Sequence, residues 1–225
     1  IPIDSEHYSI FSLLNKNQTN TVDRIYITAS GGPFLKFSKS QITKSTLSNA
    51  LNHPNWSMGK KISIDSSTMM NKVFEVIEAR NIFNIEYKKI SILTHPKSYV
   101  HAIVKFNNGL SKILIHEPDM KIPIYNSIYL SDKKKIRSKP LNINILNNLE
   151  FKKIDYAKFP LTKILNILPK NNSLYETALV TINDFFVLKF LDKKIKYNQL
   201  IKLINKFSYN RNFMKLRTIQ VKKLE

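Results

Sequence analysis

Two periods of apolar and polar residues run along this chain. From Ser5 to Leu14 the apolar positions Ile10, Leu13 and Leu14 recur at helical spacing, whereas DRIYITAS, from Asp23 to Ser30, alternates as a strand does. The run SGGPF then interrupts both patterns. Thr43 to Leu51 predicts a short helix, KISID a short strand, and Thr68 to Phe83 a long helix for which Asp65 or Ser66 is available as cap. YKKISILT predicts another strand, and YVHAIVKF and LSKILIH flank Asn107, Asn108 and Gly109, the turn chemistry of a hairpin. These elements compose an α/β (α+β) domain with a mixed sheet, ending near Leu130.

Past that point the pattern changes. SDKKKIRSKPLNINILNN is polar and basic and predicts a connector lying over the surface. FPLTKILNIL, SLYETALVTINDFFVLKFLDKK and YNQLIKLINKF then carry helical periodicity without a strand pattern. The expected division is a domain over 1–130, a linker over 131–152 and a small all-helical domain over 153–225.

Composition changes this picture in three ways. An apolar content of 43% is enough for a packed core in 225 residues, so the chain folds. Without Cys, there are no disulfides, thiolate metal sites or cysteine nucleophiles. The net charge of +20 invites a nucleic-acid partner, but only five of the 36 basic residues are arginines, the side chain that reads guanine and phosphate in a bidentate way. Diffuse lysine speaks to nonspecific attraction, so no specific nucleic-acid function is expected. No apolar run approaches the ~20 residues that cross a bilayer, which argues against a membrane partner and for a cytoplasmic protein, or one of a plastid-type organelle if eukaryotic. Ile1 is not an initiator Met, and the chain is expected to be a piece of something longer.

Asp4 and Glu6 stand two apart, and Glu75 shares a helix face with Asn71 and Lys72. Three carboxylates suit a hard divalent cation such as Mg²⁺ or Mn²⁺. The alternative is that Asp4 caps a helix and Glu75 pairs with Lys72 in solvent. For phosphate, the start of the helix after Ser66, Ser67 and Thr68 offers N–H groups, with Ser66, Asn71 and Lys72 as further donors. TASGGPF adds a glycine turn after Ser30. His53, Trp56 and Met58 lie in an aperiodic stretch fit to fold over a ligand, or to anchor a loop to the core. His95 and His101 bracket the end of a strand, where each is either structural or functional.

PIDSEHYSIF, ITASGGPF, HPNWSMGKKISIDSSTMMNKVFEVIEA, HPKSYVHAIVKFNNG and EPDMKIPI, in that order, resemble the 1-deoxy-D-xylulose 5-phosphate reductoisomerase family. The likeness is dense from Pro2 to about Ile124. It implies an NADPH-dependent oxidoreductase and isomerase of isoprene precursor biosynthesis by the methylerythritol phosphate pathway, whose product is 2-C-methyl-D-erythritol 4-phosphate. It implies Mg²⁺ or Mn²⁺ (magnesium or manganese) on Asp4, Glu6 and Glu75, and substrate contacts from Ser5, Ser30, His53, Trp56, Ser66, Asn71 and Lys72. Lys72 and His101 join the carboxylates as catalytic positions, with Met58 and Met120 offered to the cofactor. NADPH itself is expected to be held mostly by a domain upstream of Ile1, and the assembly to be a homodimer.

Three departures stand against the family's pattern. Val73 and His116 occupy positions where the family usually has Gly, and its Asn-Ala-Ala-Asn-Glu signature is reduced to something like ALVTINDFF. Two other readings are carried with the enzyme: a truncated form that isomerises without reducing, and a basic module that binds phosphate ligands or nucleic acid.

Overall fold

The structure is a computed structural model, and it describes residues 1–14, 19–129 and 135–221. The first residues of the expected linker, 131–134, and the last four of the expected helical domain lie outside the described residues. In chain order the elements are α1 (Ser5–Leu13), β1 (Val22–Ala29), α2 (Lys39–Thr43), α3 (Leu47–Leu51), α4 (Lys60–Thr68), α5 (Met70–Phe83), β2 (Ile90–Thr94), β3 (Val100–Phe106), β4 (Ser111–Ile115), α6 (Lys121–Ile128), α7 (Ile143–Asn147), β5 (Lys152–Lys153), α8 (Leu174–Leu191), α9 (Tyr197–Ser208) and α10 (Arg211–Lys215), with short 3-10 turns between some of them. The longest of these turns is Pro160–Ile167.

The chain forms two compact units. The first comprises Ile1–Ser30 and Glu78–Ile154, the second Gly31–Ile77 and Asp155–Glu225, so the boundary falls inside α5. The expected 1–130 span is therefore distributed over both, and the helical span lies from Asp155 onward in the second.

The first unit holds a five-stranded mixed sheet in the order β4-β3-β1-β2-β5. β1 pairs parallel with β2 and antiparallel with β3, and β3 and β4 form the hairpin about Asn107, Asn108 and Gly109. Gly109 sits at φ +86°, the left-handed backbone that such a turn needs. Ile25, Ile27, Val104 and Phe106 are buried in the central strands. The polar connector contributes α7 and the edge strand β5, whose residues pair with Leu93 and Thr94. Arg24 reaches across the sheet to the Lys88 carbonyl and to Ser91 Oγ.

In the second unit the helices pack around Leu161, Ile164, Leu179, Val187, Leu200 and Ile204, all buried. α8 opens with a reciprocal cap in which the Ser173 hydroxyl and Glu176 carboxylate satisfy each other's backbone, and Tyr175 Oη donates to the Ser208 carbonyl. Three local expectations are corrected here. KISID is part of helix α4, not a strand. Thr43 to Leu51 is not one helix: Thr43 ends α2 and α3 begins at Leu47, because Ser38 and Thr46 each start a capping box. The expected cap of the long helix, Asp65 or Ser66, lies instead inside α4: Ser66, Ser67 and Thr68 form its last turn, and Met69, at φ 64°, leads directly into α5 at Met70, whose N–H donates to Thr68 Oγ1.

Candidate functional site

Within the first unit, α1 carries two of the three candidate ligand carboxylates in its opening turn. Asp4 is the N-cap: its Oδ2 accepts the His7 backbone N–H at 3.4 Å and pairs with His7 Nδ1 at 3.1 Å. Its side chain is still 43% exposed, so capping leaves the carboxylate within reach of solvent ions. Ser5 is buried and donates its hydroxyl to Glu6 Oε2 at 2.5 Å. Buried His7 also lies 3.7 Å from Glu78 on α5, which ties the first turn of α1 to that helix. Glu75 precedes Glu78 by three residues on the same helix and so lies on the same side of it.

In the second unit, Glu75 stands in a buried charge cluster. Lys72 Nζ donates to Glu75 Oε1 at 2.8 Å and Oε2 at 2.7 Å, and Asn71 Nδ2 donates to Oε1 at 2.5 Å. Lys72 is only 7% exposed and Glu75 4%, so the expectation of a solvent ion pair is corrected: this pair is inside the protein. Charges there persist only when partnered closely, because removing them from water is expensive.

His53 senses the cluster. Burial, and then the positive charge of Lys72, press its imidazole down to about 4 from an ordinary 6.5. The neutral ring uses Nδ1 to accept the backbone N–H groups of Trp56, at 3.0 Å, and Asn55, at 3.2 Å. His53 thereby pins the start of the aperiodic loop. Trp56 and Met58 are half-buried along it.

Ser66 is brought against the glycine turn. A Cβ on Gly32 would stand 2.7 Å from the Ser66 carbonyl oxygen, and Gly32 holds φ +62°, so no side chain fits. The two candidate phosphate elements, the Gly31–Gly32 turn and Ser66, therefore meet at the end of α4, just before α5 begins. Ser30 stands between the end of β1 at Ala29 and that turn.

His95 and His101 part company. His95 Nδ1 donates to the Glu150 carbonyl at 2.9 Å, its Nε2 accepts the Tyr99 N–H at 3.2 Å, and its ring stacks on Phe151 with centroids 4.8 Å apart. Fully engaged and buried, which lowers its pKa, it is a structural residue joining β2 to the connector. His101 is buried in β3, and Met120 is the half-buried N-cap of α6, where Asp119 Oδ1 accepts the Lys121 N–H.

Sequence reasoning missed the support behind Ser66. Asp65, only 2% exposed, accepts from Asn183 Nδ2 at 2.8 Å and pairs with Lys61 at 2.8 Å, which also reaches Asp184 at 2.8 Å. Burial raises the Asp65 carboxyl, more than Asn183 and Lys61 lower it. Burial alone would lower the Lys61 ammonium, but its hydrogen bonds to Asp184 and Asp65 win and raise it. Tyr197 Oη donates to the Ser67 carbonyl at 2.9 Å. With these partners 118 and 130 residues apart in sequence, no spacing signals them. They hold the end of α4 in place.

Comparison with known proteins places the chain in a family. A family model described as the 1-deoxy-D-xylulose 5-phosphate reductoisomerase C-terminal domain matches residues 1–83, and a second, the DXP reductoisomerase C-terminal domain, matches 115–223. The 1-deoxy-D-xylulose 5-phosphate reductoisomerase of Pelagibacter ubique (strain HTCC1062) is 53% identical over 225 residues, 100% of this chain and 58% of the relative. That of Sulfurihydrogenibium sp. (strain YO3AOP1) is 41% identical over 215 residues, 94% and 57% respectively. Among solved structures, the Zymomonas mobilis enzyme in complex with NADPH superposes with a TM-score of 0.84 at 33% identity, covering 96% of this chain and 58% of that one. A DOX-P reductoisomerase in complex with NADPH, fosmidomycin and magnesium gives 0.85 at 34%, covering 96% and 56%. The chain thus spans a little over half the length of the relatives it matches. With both family models on it in order and the fold shared throughout, the chain belongs to the 1-deoxy-D-xylulose 5-phosphate reductoisomerase family.

Proposed function

We propose that the protein to which this chain belongs converts 1-deoxy-D-xylulose 5-phosphate to 2-C-methyl-D-erythritol 4-phosphate, by a rearrangement that needs a divalent cation and a reduction by NADPH. The observation that carries the reading is the buried cluster of Lys72, Glu75 and Asn71, with His53 in its field, in one unit with the Gly32–Ser66 contact. A buried ammonium close to a loop of hydroxyl and amide donors is suited to a phosphate dianion.

Asp4, Glu6 and Glu75 are the residues that would hold Mg²⁺ or Mn²⁺. The fit rests on donor chemistry: all three offer only hard carboxylate oxygens, and Asp4 keeps its oxygens accessible while capping α1. When bound, the cation would polarise the substrate oxygens and NADPH would supply the hydride. The chain's own residues bind and orient. Ser30, Ser66, Asn71 and Lys72 anchor the phosphate, Ser5 and His101 face the sugar carbons, and Met58 and Met120 take the cofactor's side. The loop from His53 to Gly59 closes over the substrate, with Trp56 excluding water. Lys72 also neutralises Glu75, and keeps the cluster charge-balanced until substrate arrives.

We further read the assembly as a homodimer working in the cytoplasm, without a nucleic-acid or membrane partner. No helix among the described residues is long and apolar enough to cross a membrane. The test is turnover by the full-length protein: NADPH should be consumed with 1-deoxy-D-xylulose 5-phosphate only when Mg²⁺ or Mn²⁺ is present. Substrate-independent oxidation, or no turnover under any metal, would reject the activity.

A further inference from the structure

At the hairpin of the first unit, one residue breaks the strand register. Val100 lies opposite Ile115 and Ala102 opposite Leu114, so His101 is an extra residue that β4 does not match. Such a bulge re-aims the side chain it carries, and bulges concentrate beside active sites. The ladder continues past β4, where the His116 N–H donates to the Tyr99 carbonyl at 3.0 Å. This places His116 across from the bulge.

The two imidazoles stack there, with ring centroids 3.9 Å apart and planes within 14° of parallel. His116 cannot swing freely, because its Nδ1 lies 2.6 Å from the Glu117 carbonyl oxygen. That oxygen only accepts, so Nδ1 carries the proton and Nε2 bears a lone pair. Nε2 is buried and meets no hydrogen-bond donor among the described residues. Burial keeps the ring neutral, lowering its pKa against the opposing Glu117 carbonyl and the Asp119 and Glu117 charges. A half-buried polar ring with one nitrogen unsatisfied is a costly choice for mere packing. Its flat face is what the neighbouring residue uses.

We propose that His116 is a positioning residue for His101: held by the Glu117 carbonyl, its ring is the plate against which the bulged His101 imidazole lies, fixing the plane in which that imidazole meets the substrate. The proposal rests on the reading of His101 as a residue of the site. Stacking restricts the tilt of His101 while leaving its nitrogens in the ring plane, where a hydrogen bond is made.

The test compares His116→Ala, which removes the plate, with His116→Phe, which restores a flat face without a nitrogen. In the histidine-labelled chain, the His101 ring resonances should shift and broaden in the Ala variant and return towards the parent in the Phe variant. In the full-length protein, kcat should fall about tenfold for Ala with KM little changed, and stay within about twofold of the parent for Phe. Unmoved His101 resonances in the Ala variant would overturn the proposal, as would Ala and Phe variants that lose turnover equally. His101→Ala separates the two readings. If it abolishes turnover while His116→Ala does not, the positioning role alone fails; if it leaves turnover intact, the assignment of His101 to the site fails and the positioning role with it.

Discussion

Lys72 and Glu75 show how a residue pair can serve stability and chemistry together. Each side chain is buried, and the two charges meet at 2.7 Å. Removing one partner of such a pair typically costs about 3–5 kcal/mol, because the survivor stays in low dielectric without compensation. Lys72→Ala should therefore lower stability by that order in urea unfolding, and saturating Mn²⁺ should recover part of the loss by placing a cation beside the stranded carboxylate. A Lys72→Ala protein as stable as the parent would show that water reaches Glu75. Asp4 is the opposite case. Half-exposed and a helix cap, it can be replaced by Asn, which caps as well as Asp. Asp4→Asn thus removes a ligand charge while keeping α1.

Elements carry the next level of prediction. The loop from His53 to Gly59 is fastened at its start by a neutral imidazole that accepts two backbone N–H groups. A protonated ring cannot accept at Nδ1. Because the folded-state pKa is depressed to about 4 from 6.5, the unfolded chain takes up a proton first as pH falls. The stabilisation is fully present above about 6.5 and is lost as pH drops from there towards 4. Emission of Trp56, the chain's only Trp, should change with a midpoint near 4, and His53→Ala should remove that transition. A midpoint near 6.5 would mean that the loop is not held this way. At the same scale, Asn183→Leu should cost about 1–3 kcal/mol, since Asp65 loses a hydrogen bond while remaining buried; unchanged urea unfolding would show that Lys61 suffices.

Much of the candidate site was legible as a grouping because its residues cluster in sequence, as Asp4 and Glu6 do, or share one helix face, as Asn71, Lys72 and Glu75 do. The strand and hairpin patterns in the first unit were legible too, since Ile25, Ile27, Val104 and Phe106 repeat at the spacing their burial demands. α4 was not. Its buried face is Ser63, Ile64, Asp65, Ser67 and Thr68, and its Ile62 is exposed. A helix that buries polar groups shows no apolar period, and two of those residues, Asp65 and Ser67, are met by Asn183 and Tyr197 from far along the chain. The same hidden support explains why Ser66 reads as the cap of one long helix when it lies in the last turn of α4, just before α5 begins at Met70.

For the molecule as a whole, the charge of +20 remains the most conspicuous bulk property, and it is carried mainly by lysine. Attraction to DNA or RNA should be weak, blind to sequence and lost steeply as salt is raised; selective binding at physiological salt would contradict this. The central claim is that the carboxylates at the start of α1 and on α5 bind one divalent cation beside a phosphate grip. Calorimetric titration of Mn²⁺ into the protein and into Asp4→Asn tests it most directly. One site per chain in the parent, weakened at least about tenfold in Asp4→Asn with α1 still folded, is the predicted result. Equal affinity in the two proteins, or no binding in the parent, would contradict it.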